Sequence, residues 1–183
     1  MRVSEAEIIE RCFYRKEVEI IKSFNLTCAQ TFWRLTEESL AKSYASPILF
    51  SGAEDVLNYC RQEAIPVGLV TSSEKSFVVN ALRVMGISHH FSVIVTANDV
   101  ANFKPHPEPV LQALTKLEAQ ANQTLFIGDY VVDIQAGKAA GTHTALFFTD
   151  GHNRFHKYEH VAATEPDFIF SDYKQLLGKI AVT

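Results

Sequence analysis

Thr124-Leu125-Phe126-Ile127-Gly128-Asp129-Tyr130-Val131-Val132-Asp133 is the stretch that decides the fold. A short apolar run of this kind predicts a buried strand, and Gly128 allows a sharp turn after it. Asp133 to Ala140 then predicts a helix that Gly141 stops. Two carboxylates four residues apart thus sit at the carboxyl end of a buried strand. Working outward, the same alternation recurs. Ile65 to Val70, Phe91 to Thr96, Thr144 to Phe148 and Phe168 to Phe170 predict further strands. Between them, Ser76 to Met85, Pro107 to Leu117 and finally Tyr173 to Lys179 predict helices, with Ala53 to Gln62 preceding the first strand. Apolar strands alternating with helices predict an α/β fold, Rossmann-like, with a parallel sheet covered on both faces. Ligands of such sheets bind at the carboxyl ends of the strands.

Residues 1–47 differ. Ile8, Ile9, Cys12 and Phe13, then Val18, Ile20, Ile21 and Phe24, recur at helical spacing, as does a second run from Thr31 to Tyr44. Asn25-Leu26-Thr27 is the only polar break before Pro47. We expect a small helical unit over 1–47 and the α/β unit over 48–183.

Composition excludes several function classes. The chain has 183 residues, 17 Lys+Arg against 21 Asp+Glu, a net charge of −4 and 47% hydrophobic residues. These are globular values. A mildly acidic chain has no global pull on nucleic acid or anionic membranes, so neither is expected as a partner. No apolar run approaches the roughly 18 residues of a membrane helix. The acidic start, Ser4-Glu5-Ala6-Glu7, lacks a signal core, and Cys12, Cys28 and Cys60 are too few and too scattered for a disulfide framework. A cytoplasmic setting is expected.

Three clusters follow predicted strands. Thr71-Ser72-Ser73-Glu74 offers hydroxyls and N–H groups suited to a phosphate oxygen, and equally forms a capping box between Thr71 and Glu74. Lys104, in Lys104-Pro105-His106-Pro107-Glu108-Pro109, presents a cation from a proline-stiffened loop, although a loop lysine is ordinarily just solvated. Asp129 and Asp133 are hard oxygen donors of the kind Mg2+ accepts, and also serve as turn and capping residues.

Taken in order, these three clusters resemble the haloacid dehalogenase-like (HAD) hydrolase superfamily. The nearest likeness is to its capped phosphatase branch, the phosphoglycolate phosphatase, pyrophosphatase and β-phosphoglucomutase group. Val70-Thr71-Ser72 resembles the family's second motif and Lys104 to Pro109 its third. Gly128-Asp129, with Asp133 to Gly141, resembles its fourth. The resemblance runs from about Ser51 to the C-terminus. It implies that Thr71 and Ser72 contact a phosphoryl group, that Lys104 neutralises charge in catalysis, and that Asp129 and Asp133 hold Mg2+. It also implies a small phosphorylated metabolite as substrate. Residues 1–47 would then be part of the helical cap.

The family's first motif, a strand ending in Asp-x-Asp and then Gly-Thr, has no counterpart. Aspartates stand at 55, 99, 129, 133, 150, 167 and 172, and no two are separated by a single residue. The resemblance therefore implies a chain without its nucleophile and without the strand that lies between those expected at 65–70 and 124–127. Such a chain is expected to be a phosphatase by lineage but inactive as written. The alternatives are a non-catalytic phosphate-, metal- or partner-binding module, or half of a complemented enzyme. Apolar groups such as Val67, Leu69, Leu125 and Ile127 would lose a neighbour worth about 1.5–3 kcal/mol each, which predicts self-association or a strand-donating partner.

Other signals carry less. His152, His156 and His160 share helical spacing, but the segment is polar and is expected on the surface, as is His89-His90. Phe32 and Trp33 are expected to pack within the helical unit. Cys60 falls on an apolar helix face with no activating partner.

Overall fold

The computed structural model describes residues 4, 7–8, 11, 17–26, 29–155 and 157–181. Two compact units are present, Met1–Ser43 and Tyr44–Thr183. In the first, helix α1 spans Glu17–Ser23 and α2 begins at Ala29, extending to Ala45. The polar break falls between them, where Asn25 adopts φ 49°. Phe32 and Trp33 meet edge to face at 4.8 Å. Cys12 and Cys28 lie outside the described residues.

The second unit is α/β. In chain order it contains α3 (Ala53–Gln62), β1 (Gly68–Val70), α4 (Lys75–Met85), β2 (Val93–Val95), α5 (Glu108–Leu117), β3 (Leu125–Gly128), α6 (Val131–Ala139), β4 (His143–Phe147), α7 (Tyr158–Ala162), β5 (Phe168–Phe170) and α8 (Tyr173–Ile180). Every expected strand is present, though β1 is shorter than the apolar run that contains it, because Pro66 has no N–H to give a ladder. Helix α6 starts two residues before Asp133, which makes Asp133 a first-turn residue.

All pairings are parallel, but the strands form two sheets. β1 pairs with β2, Gly68 opposite Val93. β3, β4 and β5 form the second sheet, with Leu125 opposite His143 and Ala145 opposite Phe168. No ladder joins β1 to β3.

β4 shows why a continuous apolar run becomes a central parallel strand. Ala145 and Phe147 face one side, against Val56 and Cys60 of α3, Phe170 of β5 and Leu176 of α8. Leu146 and Phe148 face the other, against Ile134 of α6 and Val161 of α7. Helices thus cover both faces. α4 packs through Val78 and Leu82 onto Leu69 and Ile94 of the smaller sheet. Gly137 is required where α6 meets β4, because a Cβ there would stand 2.9 Å from Thr144 Cγ2 and 3.0 Å from Phe126 Cδ1.

β3 contrasts with β4. Its Leu125 and Ile127 keep 37% and 36% of their surface exposed. His90, expected on the surface, is instead buried within the turn Ser88–His90, its ring 4.0 Å from that of His89. Burial of its imidazole favours the neutral form and lowers its pKa.

Candidate active site at the carboxyl ends of the strands

The loop from β2 to α5 is built to hold Lys104. Its first turn is closed by Asp99, whose carboxylate accepts from the Thr96 N–H at 2.8 Å and the Thr96 hydroxyl at 2.6 Å. Those two bonds hold Asp99 below the usual carboxylate pKa. Glu108, at the start of α5, closes the rest of the loop. It accepts from the N–H groups of Ala101 (2.8 Å) and Asn102 (3.0 Å) and from Asn102 Nδ2 (2.7 Å). The same donors lower its pKa.

Held this way, Lys104 reaches across to α6. Its Nζ lies 2.6 Å from Asp133 Oδ1, with only 12% and 7% of the two side chains exposed. The other Asp133 oxygen accepts from the N–H groups of Asp129 (3.2 Å) and Tyr130 (3.1 Å). Asp133 therefore caps α6 and ties the turn after β3 to the lysine loop. Gly128 makes this fit: a Cβ there would stand 2.6 Å from Asp133 Cγ and 2.8 Å from Asp133 Oδ2.

Asp129 is turned outward, its side chain 55% exposed, with His152 Nε2 3.6 Å from Oδ2. The imidazole is 11% exposed. Its Nδ1 accepts from the Thr149 N–H at 3.0 Å and contacts the Thr149 hydroxyl at 2.8 Å. Phe147 and Phe148 flank the ring. His152 is the residue that sequence reasoning missed. It was expected in a surface loop, yet it folds back in the turn Asp150–Arg154 directly after β4. Its position just past a strand's carboxyl end was the available signal. His160 stands in α7, and His156 lies outside the described residues.

Thr71 lies at the carboxyl end of β1, where its N–H donates to Val95 O at 2.9 Å. The expected capping box does not form. The Thr71 hydroxyl accepts from the Ser73 N–H at 3.1 Å, and Glu74 caps α4 without a side-chain bond. Ser72 is exposed, whereas Ser73 contacts the Tyr44 hydroxyl at 2.6 Å. The structure thus joins Lys104, Asp129 and Asp133 by direct contacts, and leaves Thr71 and Ser72 outside that network.

The donor set suits Mg2+ in part. Mg2+ keeps several waters and accepts one or two carboxylates. Asp129 offers an outward carboxylate, whereas both Asp133 oxygens already accept hydrogen bonds. Asp129 is accordingly the residue that would touch a metal, with Asp133 supporting it from behind. Among the described residues, no group of three or more His, Cys, Asp or Glu side chains is placed to hold a metal. Nor is any helix among them long and apolar enough to cross a membrane.

Known proteins share both the sequence and the fold. The phosphoglycolate phosphatase of Salmonella typhimurium is 38% identical over 135 residues, 74% of this chain and 52% of that protein. The phosphoglycolate phosphatase of Escherichia coli is 36% identical over 134 residues. The chain spans about half the length of these curated relatives. A predicted phosphoglycolate phosphatase from Haemophilus somnus superposes with a TM-score of 0.81 at 22% identity, covering 98% of this chain and 83% of that one. A haloacid dehalogenase-like hydrolase from Bacteroides fragilis gives a TM-score of 0.79 at 23% identity, covering 95% and 83%. The family model for haloacid dehalogenase-like hydrolases matches residues 2–147, and the chain belongs to that family.

Proposed function

We propose that Lys104, Asp129 and Asp133, with Thr71 and Ser72, form the phosphoryl- and Mg2+-binding part of a phosphate-monoester hydrolase site. The observation that carries this reading is the buried 2.6 Å contact between Lys104 and Asp133, whose other oxygen accepts the Asp129 N–H, so that a cation, its carboxylate partner and the Asp129 turn meet at the strand ends. Phosphoryl transfer depends mainly on positioning and on stabilising charge over the transferred oxygens. Lys104 supplies a fixed positive charge. Asp129 would hold Mg2+, which when bound polarises a phosphoryl oxygen. Asp133 keeps Lys104 and the Asp129 turn in register. Thr71 and Ser72 add hydroxyl donors from the neighbouring sheet.

A small phosphorylated metabolite is the proposed substrate, supported by the phosphoglycolate phosphatases among the relatives. The cytoplasm is the proposed setting, supported by the free, buried Cys60. Residues 1–183 contain no Asp-x-Asp to form and resolve an aspartyl-phosphate. We therefore expect this chain alone to bind without turning over.

The test is calorimetric titration with Mg2+ alongside a p-nitrophenyl phosphate assay. Binding on the order of millimolar, lost in Asp129→Asn, with no hydrolysis above background, is the expected result. Mg2+ binding unchanged in Asp129→Asn would overturn the metal assignment. Hydrolysis abolished by Lys104→Met would show that another carboxylate serves as nucleophile.

A further inference from the structure

Aromatic rings gather at the carboxyl end of β4, around its last residue, Phe147. Phe50 and Tyr173 stand 4.8 Å from the Phe147 ring, Phe170 5.3 Å and His152 5.4 Å. Phe148 packs against His152 from another side, at 5.4 Å. Rings packed on several faces leave the imidazole little room to turn.

Thr149 sets the direction in which that ring points. Its N–H donates to Nδ1 at 3.0 Å, so in the neutral imidazole the proton sits on Nε2. Nε2 lies 3.6 Å from Asp129 Oδ2. A histidine that ligates a metal turns a bare nitrogen to the ion and gives the proton of its other nitrogen to an acceptor. His152 has the opposite polarity, because its far nitrogen accepts. It therefore offers a proton to Asp129 and no lone pair to a cation.

Asp129 acts on a second neighbour. The phenol of Tyr173, the first residue of α8, is pushed above its ordinary pKa, first by burial and then by the negative charge of Asp129. The carboxylate thus faces groups from the turns after both β4 and β5, and both groups rest on Phe147. Its side chain nevertheless stays 55% exposed.

From this we infer that His152 is a positioning residue of the site: its Nε2–H, aimed by Thr149 and steadied on Phe147, selects the Asp129 side-chain orientation that leaves the carboxylate open to Mg2+. This role rests on the proposed metal assignment of Asp129. An exposed aspartate otherwise samples several staggered χ1 rotamers, and selecting one before the ion arrives lowers the entropy cost of binding. At 3.6 Å the N–H attracts the carboxylate across a gap longer than a hydrogen bond. The effect should therefore fall short of the roughly 10- to 100-fold typical of hydrogen-bonded partners of metal ligands.

The test uses the 183-residue chain labelled with 15N and 13C, at about pH 8, where an imidazole of ordinary pKa, about 6.5, is neutral. His152→Asn keeps an acceptor in the place of Nδ1 and removes the donor. His152→Gln carries an amide N–H to the place of Nε2. Three-bond couplings of Asp129 should show one dominant χ1 rotamer in the parent chain, averaging in His152→Asn, and the dominant rotamer again in His152→Gln. Mg2+ affinity should fall about fivefold in His152→Asn and return to within about twofold of the parent in His152→Gln. Amide exchange at Thr149 should be the same in His152→Asn as in the parent.

Asp129 couplings that are identical in the parent and in His152→Asn would overturn the inference, as would a His152→Gln variant that behaves like His152→Asn. So would faster Thr149 exchange accompanying a freed Asp129, since His152 would then serve the turn alone. The couplings need no metal. Couplings that change as expected in a chain that binds no Mg2+ would keep the positioning role and remove the metal reading. Unchanged couplings in a chain whose Mg2+ binding is lost in Asp129→Asn would do the reverse.

Discussion

His152 and Asp129 meet across the turns that follow two adjacent strands, with Nε2 3.6 Å from Oδ2. The far side of the same ring accepts the Thr149 N–H. An N–H donor can point only at an unprotonated ring nitrogen, so Thr149 fixes which nitrogen carries the proton. The arrangement gives His152 a polarity: Nδ1 accepts from the β4 turn, and Nε2 faces the Asp129 carboxylate at 3.6 Å, beyond hydrogen-bond distance.

The neutral imidazole of His152 should therefore be the Nε2–H tautomer. Nitrogen chemical shifts of the ring check this directly. A predominant Nδ1–H tautomer would mean that the ring is flipped and that Thr149 does not set its proton.

Gly128→Ala should disrupt the site without touching a charged group. The new methyl would occupy space held by Asp133, which cannot retreat without releasing Lys104 and the N–H groups of Asp129 and Tyr130. Overpacking of this sort costs about 1–3 kcal/mol. Urea unfolding should show that loss. An unchanged midpoint would mean that α6 shifts freely, and that the close approach does not hold Asp133.

The sequence carried most of this arrangement, for identifiable reasons. β4 and the helices around it were legible because a strand buried on both faces needs an unbroken apolar run, and Thr144 to Phe148 is one. The turn at Gly128 with Asp133 was legible because both residue types are forced by local geometry. His152 was not, because a polar segment after Asp150-Gly151 reads as a surface loop, whereas Thr149 folds the chain into a tight turn that brings the ring back over β4. Thr71 and Glu74 have the spacing of a capping box, yet Thr71 bonds Ser73 instead. Spacing alone does not say which of two competing N–H groups a hydroxyl will take. The role of Glu108 was likewise hidden. Its partners, Ala101 and Asn102, lie upstream in a loop whose path only the tertiary structure defines.

Glu108 should act as the clamp of the Lys104 loop. Glu108→Ala removes the acceptor for three donors, so amide exchange at Ala101 and Asn102 should accelerate and proteolysis within residues 101–107 should increase. Because hydrogen bonding lowers the folded-state pKa of Glu108, the clamp is in place above the ordinary carboxylate range. It loosens as pH falls through that lowered value. Exchange at Ala101 and Asn102 that is indifferent to the substitution would show that the prolines hold the loop instead.

Asp167 offers a test of acid stability away from the site. Its carboxylate accepts from the Thr144 N–H at 2.7 Å and the Thr144 hydroxyl at 2.9 Å, fastening the segment before β5 to the start of β4. Thr144 is fully buried, so its donors depend on this acceptor. The two hydrogen bonds, backbone first, lower the Asp167 pKa. A carboxylate whose folded pKa is depressed adds stability above its unfolded pKa, about 3.9. That stability disappears as pH falls from there through the lower folded value. Asp167→Ala leaves the Thr144 N–H without its partner, and water at the exposed Asp167 position replaces the bond only in part. The expected cost is about 1 kcal/mol, at the low end for an unsatisfied buried donor. Thermal unfolding at pH 7 should show the loss. As pH falls through the lowered folded value, the variant and the parent chain should converge, because the parent then surrenders the same bonds to protonation. A difference that persists undiminished down to the most acidic pH at which the parent chain stays folded would mean that Asp167 acts through packing rather than through its charge.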